Sequence, residues 1–134
     1  MGKLKLAMIG AGAISGAHLE ALSTVDEIEV VAIADLDPER AAKRAQEFGI
    51  PHTYVDYKEM IDKEDVEAVS VLTWNEAHAA PTIYALEAGK HVLVEKPMAA
   101  TLADATAMTK AAKKSDKLLM VGLKSRYSDD RIVA

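Results

Sequence analysis

Runs of apolar residues of strand length alternate with longer amphipathic stretches along the whole chain. Two of these runs, Val30 to Ala34 and Val69 to Leu72, are almost continuously apolar, as are strands buried on both faces of a sheet. This alternation is typical of a parallel sheet with helices on both faces. It predicts an α/β domain with a doubly wound parallel sheet of about six strands. We place the strands at Leu4–Ile9, Glu29–Ala34, His52–Tyr54, Ala68–Leu72, His91–Val94 and Leu118–Val121.

Capping patterns mark the ends of several predicted helices. Asp37 followed by Pro38 is typical of a helix start, and Gly49 is typical of the end of that helix. Asp56 predicts the start of a short helix, and Thr101 predicts the start of a longer one. These patterns place helices in three of the five connections between the strands.

Pro81 restricts the connection that follows the fourth strand. A proline inside a helix costs about 3 kcal/mol and is tolerated only in the first turn. The next helix is therefore predicted to start near Pro81. Residues Thr73 to Ala80 would then form a loop at the C-terminal end of a central strand, where open α/β sheets bind their ligands.

The composition excludes several classes of protein. A chain of 134 residues suits a single domain, and its net charge of −5 with scattered basic residues does not favour a nucleic-acid partner. It has no cysteine, its four histidines are scattered, and its apolar runs are far shorter than a membrane span. The N-terminus does not resemble a secretory signal. We therefore expect a cytoplasmic domain with no metal, no nucleic acid and no membrane contact.

A glycine-rich segment directly follows the first strand, with the sequence Gly10-Ala11-Gly12-Ala13-Ile14-Ser15-Gly16. In this position Gly10 permits a tight turn, and Gly12 lets the backbone approach a pyrophosphate at the positive end of a helix. We expect Gly10, Gly12, Ala13 and Ile14 to contact a dinucleotide in a Rossmann-type fold. The third motif position is Ser15, with a glycine one place later, so a simple tight turn is the alternative.

An acidic residue follows the second strand. Asp35 lies 25 residues after Gly10, close to the roughly 20-residue offset at which an acid accepts hydrogen bonds from the adenosine ribose. A carboxylate here would repel a 2′-phosphate, and Leu36 offers no compensating charge, so NAD is expected as the cofactor in preference to NADP. Arg40 leaves some NADP binding open. The alternative is that Asp35 only caps the turn before Asp37.

A charged tripeptide, Glu95-Lys96-Pro97, follows the fifth strand at the edge of the sheet where the ligand crevice is expected. A lysine there can donate to a substrate hydroxyl or carbonyl and take part in proton transfer. Pro97 biases Lys96 toward an extended backbone, and the bond between them is a candidate for the cis form. The alternative is that Lys96 is a solvated lysine at the end of a strand.

Together with the Gly10 loop and Asp35, the segment from Gly89 to Pro97 resembles the Gfo/Idh/MocA family of glucose-fructose oxidoreductases and inositol dehydrogenases. The resemblance implies an NAD-dependent oxidoreductase that acts on a secondary alcohol of a sugar, cyclitol or polyol. It also implies a catalytic Lys96 beside the substrate, assisting proton transfer, and a Glu95 near the nicotinamide ribose.

Within this resemblance, the loop after the fourth strand is expected to contact the cofactor through Thr73, Trp74, Asn75 and His78. Members of the family often have proline where this chain has Trp74, which would either stack on a cofactor ring or cover the loop. For His78, contact with nicotinamide or substrate and capping of the next helix are both open. His18 is assigned to packing at a helix edge.

The resemblance implies a second, substrate domain, for which we expect no counterpart in this chain. We expect residues 123–134 to begin the crossover to that domain, and the chain to be a truncated portion that binds NAD weakly without useful turnover. Self-association through an exposed sheet edge is a further expectation. The alternatives are a non-catalytic NAD(H)-sensing module and a biliverdin reductase-like or dihydrodipicolinate reductase-like domain.

Overall fold

The computed structural model describes residues 2–128, which form a six-stranded parallel sheet flanked by helices. The strands are β1 Leu4–Ile9, β2 Ile28–Ala34, β3 His52–Tyr54, β4 Ala68–Val71, β5 His91–Glu95 and β6 Leu119–Gly122. The helices are α1 Ala13–Leu22, α2 Pro38–Phe48, α3 Tyr57–Lys63, α4 Ala79–Glu87 and α5 Leu102–Ser115, with 3-10 turns at Asn75–Ala77 and Lys124–Tyr127. The strand order is β3-β2-β1-β4-β5-β6, which confirms the predicted fold class. Residues 129–134 of the expected crossover lie outside the described residues.

The sheet is buried on both faces because alternate residues of the central strands join two separate cores. On β1, Ala7 and Ile9 belong to one core, which also contains Met60, Leu86 and Met108 from α3, α4 and α5. Met8, between them, belongs to the other core, beneath α1 and α2. This two-sided burial explains the nearly continuous apolar runs of the central strands.

The predicted helix ends are present, with one correction. Asp37 accepts hydrogen bonds from the first backbone N–H groups of α2, and Gly49 ends that helix in the left-handed region at φ 68°. Thr101 caps α5. The predicted start of α4 near Pro81 was two residues late, because the helix begins at Ala79 and the preceding loop contains a 3-10 turn. Pro81 remains in the first turn, where its missing N–H has no intrahelical partner.

On one face of the sheet, the described helices cover only the part formed by β1 and β2. Among residues 2–128, α1 and α2 pack on the β1 and β2 side of this face. An apolar groove of about 590 Å³ continues from α1 across β4, β5 and β6. Leu118 and Met120 are exposed beside it. None of the helices in the described part of the chain is long and apolar enough to cross a membrane.

Candidate functional site

The strand order reverses direction between β1 and β4. The chain runs from β1 outward to β2 and β3, then crosses back to β4 and runs outward to β5 and β6. Loops that leave such a switch point on opposite sides form a crevice at the carboxyl ends of the strands. A cleft of about 590 Å³ lies there. Eight of the predicted cofactor-binding residues line it, namely Gly10, Gly12, Ala13, Ile14, Asp35, Leu36, Thr73 and Trp74.

Gly10 makes the tight turn that begins the site. Its φ is 102°, a conformation that residues with a side chain rarely adopt, and its N–H donates to the Ala34 carbonyl at 2.8 Å. A Cβ atom at this position would lie 2.7 Å from the Leu72 carbonyl oxygen. The first loop therefore packs directly on the end of β4, and only glycine fits between them.

Gly12 has a different reason to be glycine. Its φ of −70° is ordinary, and a Cβ atom there would meet nothing within 4 Å. The residue is the N-cap of α1, whose first turn has no acidic side chain and no side-chain cap. The first N–H groups of a helix have no intrahelical partner and favour an anion. The open space and free helix terminus at Gly12 fit a pyrophosphate.

The departure from the glycine motif at Ser15 has a structural explanation in Arg44 of α2. Ser15 is buried, and its Oγ donates to the Gly12 carbonyl at 2.6 Å while accepting from Arg44 Nε at 3.2 Å. Arg44 also donates to the Gly12 carbonyl at 3.3 Å. A Cβ at Gly16 would lie 3.1 Å from that guanidinium. Gly16 therefore makes room for the Arg44 guanidinium. The sequence analysis did not identify this contact of Arg44 with the glycine loop.

Asp35 lies at the end of β2, and its side chain is only 11% exposed. One carboxylate oxygen accepts from the Ala11 N–H at 2.7 Å, and the other accepts from the Asp37 N–H at 2.8 Å. The carboxylate therefore fixes the turn and also ties it to the glycine loop. Each oxygen keeps a second lone pair, so the group can still accept from a ligand hydroxyl.

Arg40 is already paired on this side of the cleft. Its Nε donates to an Asp37 carboxylate oxygen at 3.1 Å and lies 3.9 Å from an Asp35 oxygen. The hydrogen bond from the Arg40 side chain, with backbone N–H donors, lowers the pKa of Asp37. Positive charge next to Asp35 is thus partly neutralised by the Asp37 carboxylate.

The loop after β4 separates the predicted contacts into two groups. Thr73 and Trp74 line the cleft, and Trp74 is 80% exposed at its mouth. Thr73 Oγ1 donates to the Ala77 carbonyl at 3.0 Å, which closes the 3-10 turn. Asn75 is exposed in that turn and is not among the residues that line the cleft.

His78 lies where the loop after β4 meets α4. The ring is completely buried, with Nδ1 2.9 Å from the Pro97 carbonyl oxygen and Nε2 3.0 Å from the Thr73 carbonyl oxygen. Its side chain makes no capping hydrogen bond to α4. His78 is nevertheless the N-cap residue of α4, because its backbone carbonyl accepts from the Thr82 N–H at 3.3 Å, so the capping interpretation is confirmed through the backbone and not through the ring. Contact of His78 with nicotinamide or substrate stays a prediction.

Glu95 and Lys96 follow at the end of β5, next to β4 in the sheet. Glu95 is buried, and one of its oxygens accepts from the Lys96 N–H at 2.9 Å. The other lies 2.9 Å from His18 Nε2. The Lys96 side chain is exposed, and the Lys96–Pro97 bond is cis. The sequence signal at His18 was its four-residue spacing from Ile14, which indicated only packing.

Comparison with known proteins decides the family. The sequence model of the Gfo/Idh/MocA oxidoreductases, described as an oxidoreductase family with an NAD-binding Rossmann fold, matches residues 4–123. The chain belongs to this family. It is the NAD-binding domain of a Gfo/Idh/MocA oxidoreductase, and its relatives include sugar and cyclitol dehydrogenases.

Three relatives illustrate the match. A 4-carboxy-2-hydroxymuconate-6-semialdehyde dehydrogenase of Sphingobium sp. is 37% identical over 93% of this chain and 40% of its own length. An inositol 2-dehydrogenase of Salmonella paratyphi B is 39% identical over 92% of this chain and 38% of its own. The structure of the WlbA dehydrogenase of Chromobacterium violaceum with NADH and UDP-GlcNAcA superposes with a TM-score of 0.94 at 30% identity, covering 98% of this chain and 38% of that one. The chain thus spans about two fifths of the length of each of these relatives.

Proposed function

We propose that this domain binds NAD(H) in the cleft at the switch point and supplies the cofactor half of a dehydrogenase. The reaction would be oxidation of a secondary alcohol of a sugar, cyclitol or related polyol, with NAD supplying the hydride acceptor when bound. The observation that carries the proposal is that Gly12, at the start of α1, and Asp35 line one cleft, with the Ala11 N–H donating to the Asp35 carboxylate and so tying the glycine loop to the end of β2.

Preference for NAD over NADP is supported by charge. The Asp35 carboxylate faces the position at which this fold holds the adenosine ribose, and the neighbouring Leu36 is exposed and uncharged. Arg40 is the nearest cation, and its guanidinium is bonded to Asp37. Within residues 2–128, an additional phosphate would meet the Asp35 carboxylate beside an arginine that is already bonded to Asp37.

Lys96 is the candidate for proton transfer. Its side chain is exposed at the end of β5, while its backbone N–H is held by the Glu95 carboxylate. A lysine held in this way can donate to a substrate hydroxyl or carbonyl oxygen and move a proton there. The family relation supports this role, with Glu95 near the nicotinamide ribose.

The substrate class is proposed from the relatives, which include inositol and apiose dehydrogenases. We propose that the 134-residue chain alone binds NAD but gives no useful turnover of a polyol, because partner domains supply most substrate contacts. A cytoplasmic location stays a prediction from the sequence.

The deciding experiment is calorimetric titration of the chain with NADH and with NADPH. We expect NADH to bind more tightly than NADPH, and the Asp35→Ala variant to lose about tenfold or more in NADH affinity, as expected for hydrogen bonds to a charged group. Asp26→Ala is the matched control, because Asp26 is exposed near the start of β2, at the amino ends of the strands and away from the cleft at their carboxyl ends. Equal NADH binding by the Asp35 variant and the wild type would contradict the proposal.

A further inference from the structure

We propose that His18 is a positioning residue that holds the Glu95 carboxylate and, through it, the backbone of Lys96. The inference rests on the proposed function of Lys96 and adds a residue on a different element to that site. His18 does not line the cleft in which we place the cofactor. It acts through Glu95.

The contact geometry carries the first step. His18 lies on α1, one turn after Ile14, and its side chain is 21% exposed. Its Nε2 is 2.9 Å from one oxygen of Glu95, a residue buried at the end of β5. A buried carboxylate is costly unless it is hydrogen-bonded. The hydrogen bond from the imidazole N–H therefore stabilises this orientation of the Glu95 side chain.

The second step is the bond that Glu95 makes in turn. Its other oxygen accepts from the N–H of Lys96 at 2.9 Å. The carboxylate thus bridges α1 and the residue after β5. Without His18 the carboxylate would keep only one of these two anchors, and its side chain would be free to rotate away from the Lys96 N–H.

His78 gives the same segment a second anchor from the opposite side. Its Nδ1 contacts the carbonyl oxygen of Pro97, and its Nε2 contacts that of Thr73. A carbonyl oxygen only accepts, so a ring N–H of His78 is the donor in these contacts. The two residues that flank Lys96 are thus tied to separate elements, while the Lys96 side chain itself stays exposed.

Hydrogen exchange of the Lys96 amide, followed by NMR on the intact chain, tests the inference. His18→Leu removes the donor, and His18→Asn keeps a polar side chain that is too short to reach Glu95. His18→Gln places a donor near the original Nε2. We expect roughly tenfold faster exchange at Lys96 in the Leu and Asn variants, equivalent to one lost hydrogen bond to a charged group, and slow exchange again in the Gln variant.

His52→Leu is the matched control. His52 makes a similar contact, with Nδ1 2.8 Å from Glu64 Oε1, but it lies on β3 at the far edge of the sheet. We expect this variant to leave Lys96 exchange at the wild-type rate. Wild-type exchange in the Leu and Asn variants, or exchange in the Gln variant as fast as in those two, would overturn the inference.

Titration of the same samples with NADH separates this inference from the proposed function. If the wild type fails to bind NADH while the Lys96 amide responds to His18 as described, the proposed function fails and the positioning role stands. If NADH binds but Lys96 exchange ignores His18, the positioning role fails alone. The exchange measurement also excludes a merely structural role, because loss of general stability would speed exchange at many amides and not at Lys96 alone.

Discussion

Adding a single methyl group to the glycine loop is expected to lower stability at Gly10 and cofactor affinity at Gly12. Gly10→Ala places a side chain at φ 102°, which costs about 1–2 kcal/mol for an L residue. The new Cβ would also lie 2.7 Å from the Leu72 carbonyl oxygen, which is backbone and cannot rotate away. Relieving that overlap costs a further 1–3 kcal/mol or so, as in other overpacked sites. The free energy of unfolding should therefore fall by about 2–5 kcal/mol.

Gly12→Ala is the matched partner of that variant. A Cβ at Gly12 meets nothing within 4 Å, and the φ of −70° is open to alanine. We expect the free energy of unfolding to change by less than about 0.5 kcal/mol, because the N-cap preference for glycine over alanine is offset by the smaller conformational entropy of alanine in the unfolded chain. The methyl group would instead occupy the space proposed for the pyrophosphate, so NADH affinity should fall at least about tenfold, equivalent to 1.4 kcal/mol.

Two measurements separate these effects. Thermal unfolding followed by circular dichroism should show Gly10→Ala melting about 8–20 °C below the wild type, taking roughly 4 °C per kcal/mol for a chain of this size, and Gly12→Ala melting at the wild-type temperature. Calorimetry below both melting temperatures should show the loss of NADH binding in Gly12→Ala. A Gly12→Ala protein that binds NADH as tightly as the wild type would refute the assignment of this space to the cofactor.

Two further predictions concern the core and the ionisation of a tyrosine. Met108 is completely buried, so Met108→Ala should lower the free energy of unfolding in urea by about 2–5 kcal/mol, whereas Met120→Ala, at a side chain 49% exposed, should cost less than about 1 kcal/mol. Equal losses would contradict the assigned core. The hydrogen bond from Tyr54 to Glu64 raises the pKa of Tyr54 from 10 to about 12. Because the pKa of Tyr54 is higher in the folded than in the unfolded chain, this hydrogen bond contributes fully to stability below pH 10. The contribution is lost as the pH rises toward 12. Tyr54→Phe should remove a phenolate absorbance step near pH 12, and loss of a step near pH 10 instead would disprove the contact.

The parts of the site that the sequence predicted are those set by local backbone rules. Gly10 is needed by a turn at positive φ, and Asp35 follows a strand at a spacing that the fold determines. Asp37 and Thr101 cap helices through residues within three positions of themselves. Such requirements depend on a few neighbouring residues, so one sequence is enough to find them.

The parts that the sequence missed depend on contacts between distant segments. Arg44 lies on α2 but bonds to the start of α1, and His18 on α1 bonds to Glu95 at the end of β5. His78 lies in the expected loop, yet its ring turns inward to the Pro97 carbonyl. No periodicity or capping pattern specifies which partner such a side chain finds, because tertiary packing of the sheet and helices brings the pairs together.

The reversal of strand order between β1 and β4 also bears on how the domain assembles. Each half of the cleft comes from a different part of the chain, with Gly10 and Asp35 in the first part and Thr73 and Trp74 in the second. Pairing of β1 with β4 joins these parts across an intervening stretch of chain that contains α2, β3 and α3, and such non-local pairings form slowly. A dinucleotide that bridges the seam would bind only the fully docked chain. At a dinucleotide concentration one hundred times its Kd, binding would add about 2.7 kcal/mol to the stability of that state. Dinucleotide binding would therefore report that both parts of the chain are docked.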